Sequence, residues 1–252
     1  MNELRRFGGF SQMTPIVKNL VIINLLVFAA CYFQPSLNDL LSMHYPTNEL
    51  FKPWQLFTHM FMHGGISHIL FNMFGLYSFG SILERVLGPK RFITLYFLSG
   101  FAAIGLHLLV ETYIVYSQTG GFMLEPDMFL NTEGKRLLYM SGEVTDEILQ
   151  FVTNKKLASI YLSTLVGASG AIYGLLAGFT YLFPNTELML MFIPVPIKAK
   201  YLVPFVLIVY DLGYGSLGNG GDNVAHFAHI GGAVFGFLLI YYWNKTNKSS
   251  FY

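Results

Sequence analysis

The sequence predicts an all-α membrane protein of six transmembrane helices, with a first loop that dips into the bilayer. Two observations carry that prediction. The chain of 252 residues is 54% hydrophobic and only 12% charged, with a mean hydropathy of +0.50, whereas soluble domains carry about 25% charged residues. The apolar residues also gather into runs long enough to cross a hydrocarbon core of ~30 Å. A net charge of +1, with no basic run interleaved by aromatics, argues against a nucleic-acid partner.

The runs fall at 17–34, 56–81, 91–116, 158–183, 201–217 and 223–243. The first is long and has no small-residue cleavage site behind it, so it reads as a retained span and not a signal peptide. The fifth is short and contains Pro204. Residues 17–243 form one domain, preceded by a short segment, 1–16, and followed by a tail, 244–252. Between the third and fourth runs, 117–157 is the one stretch of water-soluble composition, with Glu125, Asp127, Glu133, Lys135 and Arg136. It reads as a solvated insertion, favoured over a dedicated substrate-binding element, with 143–152 expected as a short amphipathic helix.

Basic residues orient the bundle. With the N-terminus inside, only Lys52, Lys135, Arg136, Lys155 and Lys156 of the 15 Lys and Arg fall in outer segments. Both termini are therefore expected in the cytoplasm. Compact size and the lack of a transit segment suggest a bacterial inner membrane. The single cysteine, Cys31, lies in an apolar run. It offers no disulfide or thiolate metal site, and a thiol in such surroundings is a poor nucleophile.

Polar side chains inside spans are functional candidates, because an unsatisfied polar group there costs several kcal/mol. His59, His63, His68 and Asn72 lie in the second run, Ser169 in the fourth, and His226 and His229 in the sixth. These three spans run in the same direction. His68 and Asn72 share a helix face, and the turn Gly167-Ala168-Ser169-Gly170 suggests a helix that starts at its glycines. If it does, the groups converge in the outer third of the membrane.

Chemistry assigns roles to that convergence. A serine becomes a nucleophile when a neighbouring base takes its proton, and histidine suits that task near neutral pH. Either His226 or His229 could reach Ser169. Asn72 and His68, with the backbone N–H of Ser169, can donate hydrogen bonds to a developing oxyanion.

Two plainer readings compete. A serine between glycines is usually a packing residue, and Gly170, Gly174 and Gly178 recur every four residues, as do Gly232 and Gly236. The histidines could hold a metal or haem, and His59 and His63 have the spacing of a zinc pair. Met60 follows His59, however, so the His-Glu-x-x-His base is absent, and no acid near them in that span completes a metal shell. No metal and no cofactor are expected.

Together, three motifs resemble one family. Gly167-Ala168-Ser169-Gly170 is similar to the Gly-x-Ser-Gly motif of the rhomboid intramembrane proteases, His68-Ile69-Leu70-Phe71-Asn72 to their His-x-x-x-Asn motif, and Ala228-His229-Ile230-Gly231-Gly232 to their Ala-His-x-x-Gly motif. The resemblance covers residues 15–243 apart from the insertion. It implies a six-helix rhomboid-like bundle and a serine endopeptidase that cuts transmembrane protein substrates in or near their membrane segments. It implies a catalytic dyad of Ser169 and His229 without a third acid, and chooses His229 over His226. Asn72, His68 and Gly167 then fall in the oxyanion and substrate-binding region, and Tyr173 matches an aromatic that stacks on the base. His63 corresponds to a histidine that structures the first loop, and Glu84 to a buried structural acid. One departure stands out: many members carry Trp-Arg before the second helix, and here the pair is Trp54-Gln55, which leaves the anchoring of that loop open. Two rivals remain, a pseudoprotease that binds membrane clients without cutting and a proton-relaying transporter. Such pseudoproteases usually lack the serine or the histidine, and transporters often show two similar halves, which are not apparent here.

Overall fold

The computed structural model describes residues 13–141, 149–190, 193–205 and 225–246. Its framework is five helices: α1 Pro15–Phe33, α2 Ile66–Leu87, α3 Pro89–Thr119, α4 Ser169–Leu182 and α5 Ala225–Thr246. Among the described residues, four of them (α1, α2, α3 and α5) are long and apolar enough to cross a membrane, while α4 is a shorter apolar helix. The protein is therefore an integral membrane protein. The predicted fifth span keeps only its first residues here, in the helix Ala199–Phe205; the rest of 201–217 lies outside the described residues, as do residues 1–12, 142–148 and 247–252.

Local chemistry sets the helix ends. Pro15 and Pro89 stand at the first positions of α1 and α3, where the missing N–H costs nothing and φ is already helical. At the start of α1, the N–H groups of Ile16 and Val17 donate to Oε1 and Oε2 of Glu84 at 3.2 and 3.0 Å. A buried carboxylate thus caps one helix from the end of another, where the helix dipole favours negative charge. The same lower end holds the Arg91 guanidinium 5.9 Å from the ring of Trp243. At the upper end α3 stops at Gly120, whose φ of +75° suits glycine and whose N–H donates to the Tyr116 carbonyl at 2.8 Å.

The structure corrects two boundaries and the fold class. The run 56–81 is not one span: it opens as a short helix Gln55–Thr58 and a 3-10 turn His59–Phe61, and α2 begins only at Ile66. Gly64 and Gly65 interrupt it, since two glycines oppose helix continuation by ~1 kcal/mol each. His59 and His63 consequently lie in the loop before α2. The run 158–183 is also divided, into the helix Lys155–Leu162 and α4. Between them the chain is extended, and Leu165 exchanges backbone bonds with Met43 at 3.0 and 2.9 Å. Finally, the fold is not purely α, because Glu187–Leu190 and Ile193–Lys198 pair as an antiparallel hairpin below α4. Alternating β-favouring residues and two prolines in Ile193-Pro194-Val195-Pro196-Ile197 oppose a helix there.

Small residues hold α4 against α5 and α3. A Cβ added at Gly232 would strike the backbone of Gly170, one at Gly236 the backbone of Gly174, and one at Gly174 the side chain of Ser99. Backbones approach this closely only where side chains are absent. The glycine repeats of the sequence are therefore packing devices, and they also seat the first turn of α4 against the first turns of α5.

The loop from 35 to 65 and the insertion form an upper layer. The insertion has a core of its own, in which Leu124, Phe129, Leu130 and Leu157 bury themselves with Tyr45 of the loop, Val115 of α3 and Ile160 of the helix Lys155–Leu162. It contains a helix, Thr132–Ser141; most of the expected 143–152 helix falls outside the described residues. Trp54 and Gln55 answer how the loop is anchored without an arginine. The indole Nε1–H of Trp54 donates to Leu40 O at 2.9 Å, and the fully buried Gln55 amide donates to Asp39 O and Leu50 O at 3.0 and 2.9 Å.

Candidate active site

Ser169 is the first residue of α4, and its backbone N–H is one of those a helix start leaves without an intrahelical acceptor. The turn before it needs Gly167: its φ is +124°, and a Cβ there would also lie 2.9 Å from the imidazole of His68. Because α5 presses on α4 through glycines, His229 faces Ser169. Its Nε2 lies 2.9 Å from Ser169 Oγ. With the imidazole proton on Nδ1, the hydroxyl donates to Nε2, which is the arrangement proton abstraction requires.

Tyr173 stands one turn below Ser169 on α4 and stacks face to face on His229, with ring centroids 4.3 Å apart and planes within 4°. A parallel ring at that distance restricts rotation of the imidazole, the task a buried acid performs in a triad. His226 lies with its ring centroid 6.4 Å from that of His229. It is the serine contact of His229 that the structure records.

A cavity of about 230 Å³ opens on this pair, walled by His59, His68, Val166, Gly167, Ser169 and His229 among others. The N–H of Gly64 donates to His68 Nδ1 at 3.3 Å. That bond makes Nδ1 the acceptor and leaves the proton on Nε2, the edge that faces Gly167 and the cavity. His68 therefore presents an N–H donor to the cavity that Ser169 lines. Gly167 does not add a second one, since its own N–H donates to the His59 carbonyl at 2.8 Å; it contributes room instead. Asn72 sits a turn deeper on α2, buried and outside the cavity wall, and its Nδ2 has no acceptor among the described residues.

The two loop histidines shape the roof. His59 Nδ1 is 2.8 Å from the Gln55 carbonyl, and His63 packs edge-on against His68 with centroids 5.2 Å apart. Burial pushes both down to about 4, so both are neutral at pH 7. They support the site's walls; among the described residues no group of three or more His, Cys, Asp or Glu is placed to hold a metal.

Sequence reasoning missed one polar pair. His107 and Glu111 lie in α3, both buried, with Nε2 and Oε1 3.3 Å apart. They line a small cavity behind Thr164 and Leu165, residues that also wall the serine cavity. The signal was present: two ionisable residues four apart inside an apolar run, which one helix face brings together.

A rhomboid-domain family model matches residues 50–122 and 121–245. Among similar proteins, RHOMBOID-like protein 4 of Arabidopsis thaliana is 31% identical over 187 residues, covering 74% of this chain and 33% of that protein. RHOMBOID-like protein 12, mitochondrial, of the same plant is 26% identical, covering 99% of this chain and 67% of its own length. Rhomboid protease GluP of Bacillus subtilis is 28% identical over 186 residues, covering 73% of this chain and 25% of that protein. The chain thus spans between a quarter and two thirds of the length of these relatives.

Proposed function

The chain belongs to the rhomboid family, and from that premise we propose that it is an intramembrane serine endopeptidase acting on transmembrane segments of other membrane proteins. The observation that carries the reading is the 2.9 Å approach of His229 Nε2 to Ser169 Oγ beside a cavity. Similarity to a protein named a protease, GluP, supports the same chemistry.

In this reading Ser169 Oγ attacks the scissile carbonyl as His229 takes its proton. The oxyanion that forms accepts hydrogen bonds from His68 Nε2–H and the Ser169 backbone N–H. Collapse of that intermediate breaks the C–N bond. His229 returns the proton to the leaving amine, and an acyl-enzyme remains on Ser169. Water then enters the cavity, loses a proton to His229, attacks the ester and frees the serine. Losing one oxyanion donor typically costs 10²–10³ in rate.

Six spans complete the proposed bundle, the fifth resting on the sequence alone, with both termini in the cytoplasm or its organellar equivalent. The membrane is bacterial or mitochondrial; several similar proteins are named mitochondrial. The rival is a pseudoprotease that binds clients without cutting them. Reconstituted protein incubated with a model transmembrane substrate separates the two. Cleavage abolished by both Ser169→Ala and His229→Ala supports the protease, and an uncut but co-purifying substrate supports the rival.

A further inference from the structure

The lipid-facing stripe of α3 does not stop where the helix stops. With 31 residues, α3 is about 46 Å long, well beyond the ~30 Å hydrocarbon core. Its lower end is fixed by Lys90 and Arg91. Tyr113 and Tyr116 lie 23 and 26 residues further on, roughly 35 and 39 Å up the axis, and so at headgroup height on the side of Ser169. Leu109, Tyr113 and Tyr116 share one face, and they are 68%, 71% and 48% exposed. After Gly120 the chain turns back and lays Phe122 on Tyr116, with ring centroids 5.0 Å apart and planes within 17°. Phe122 and its neighbour Met123 are 64% and 58% exposed, whereas the next residue, Leu124, is fully buried.

We infer that the turn after α3 is an interfacial membrane anchor: Tyr113, Tyr116, Phe122 and Met123 insert into the headgroup and upper acyl layer of the bilayer. Three observations select lipid as the partner. The patch adjoins the exposed apolar face of a membrane-spanning helix, joined to it by the stacking of Phe122 on Tyr116. Its height along α3 is that of the interface, where tyrosine keeps an apolar ring in lipid and its hydroxyl wet. Its two apolar tips are exposed while Leu124, Phe129 and Leu130 of the same segment are buried, and burying side chains of this size favours the membrane.

The anchor is coupled to the site by a short chain of bonds. Thr47 Oγ1 donates to Leu124 O at 2.8 Å and accepts from Leu124 N–H at 3.2 Å, and the Tyr45 hydroxyl donates to Phe122 O at 3.4 Å. Tyr45 and Thr47 follow Met43, whose backbone pairs with Leu165 on the wall of the serine cavity. The insertion is therefore seated on the bilayer and carries the upper layer at a fixed height above Ser169.

A single tryptophan reports the depth. In a Trp54→Phe, Trp243→Phe background, which removes both native tryptophans, Phe122→Trp is reconstituted into phosphatidylcholine vesicles. The vesicles carry ordinary lipids or lipids brominated near the headgroup end of the acyl chain. Met123→Trp serves as the second reporter and Glu133→Trp as the solvated control, each taken forward only if its melting temperature matches the background. Brominated lipid should quench the 122 and 123 reporters at least two-fold and leave the 133 reporter unchanged, while aqueous iodide should do the reverse. Iodide quenching of the 122 and 123 reporters equal to the control, without bromine quenching, overturns the anchor. So does emission that ignores bromine and shifts only when a transmembrane substrate is added, which would assign the patch to a polypeptide.

Discussion

His229 and Ser169 belong to helices that start 56 residues apart in sequence, at Ala225 and Ser169, yet their reactive atoms lie 2.9 Å apart. Glycines produce that approach. Gly170, Gly174, Gly232 and Gly236 let two backbones touch, and the touching turns carry Ser169 and His229.

That joint makes Gly236 a sensitive position far from the cavity. Gly236→Ala places a methyl into the backbone of Gly174, and overpacking of this kind costs about 1–3 kcal/mol. The melting temperature in detergent should fall, and proteolysis should fall with it as α5 moves off α4. Gly105→Ala on α3, where a Cβ meets nothing within 4 Å, should leave both unchanged. Equal behaviour of the two variants would remove the packing argument.

In the proposed mechanism Tyr173 orients His229 by stacking, so the ring matters and the hydroxyl does not. Tyr173→Phe should retain most of kcat. Tyr173→Ala should lose about 10²-fold in kcat, the scale of a misplaced reacting group, with KM changed little. A full-rate alanine variant would show that His229 is oriented by something else.

The His107–Glu111 pair predicts a sign reversal. Removing one partner of a buried pair strands the other and costs about 3–5 kcal/mol, whereas an apolar replacement of both is often close to neutral. Glu111→Leu or His107→Leu alone should therefore destabilise more than the double variant, as read by thermal unfolding in detergent. Additive losses in the double variant would mean the two residues act separately.

His63 gives a pH dependence with a defined sign. Its folded-state value is about 4 against an ordinary 6.5, so between these pH values the unfolded chain binds more protons than the folded one. Stability is then complete above pH 6.5 and is lost as pH falls toward 4. His63→Gln removes one such group and should flatten the decline in melting temperature over that window, leaving the part due to His59. An unchanged slope would place His63 in contact with water.

Much of the site was legible in the sequence because its parts are local. The Gly167–Gly170 turn announced a helix start, and α4 starts at Ser169. The glycine repeats announced close packing, and they pack. Where the reading failed, apolar composition outweighed a visible break: Gly64-Gly65 interrupts 56–81, and the backbone pairing of Leu165 with Met43 holds part of 158–183 outside a helix. The paired strands Glu187–Leu190 and Ile193–Lys198 were not anticipated, since they fall between the apolar runs. Asn72 illustrates a further limit, because sharing a face with His68 did not bring it to the cavity wall. The choice between His226 and His229 needed the family motif; spacing alone left both open.

The central claim is that Ser169 is an activated nucleophile. The most direct measurement is labelling of the purified protein with a fluorophosphonate probe, followed by mapping of the modified peptide. Modification at Ser169, lost in Ser169→Ala and strongly reduced in His229→Ala, is the predicted result. Equal labelling of the parent and Ser169→Ala proteins would contradict it.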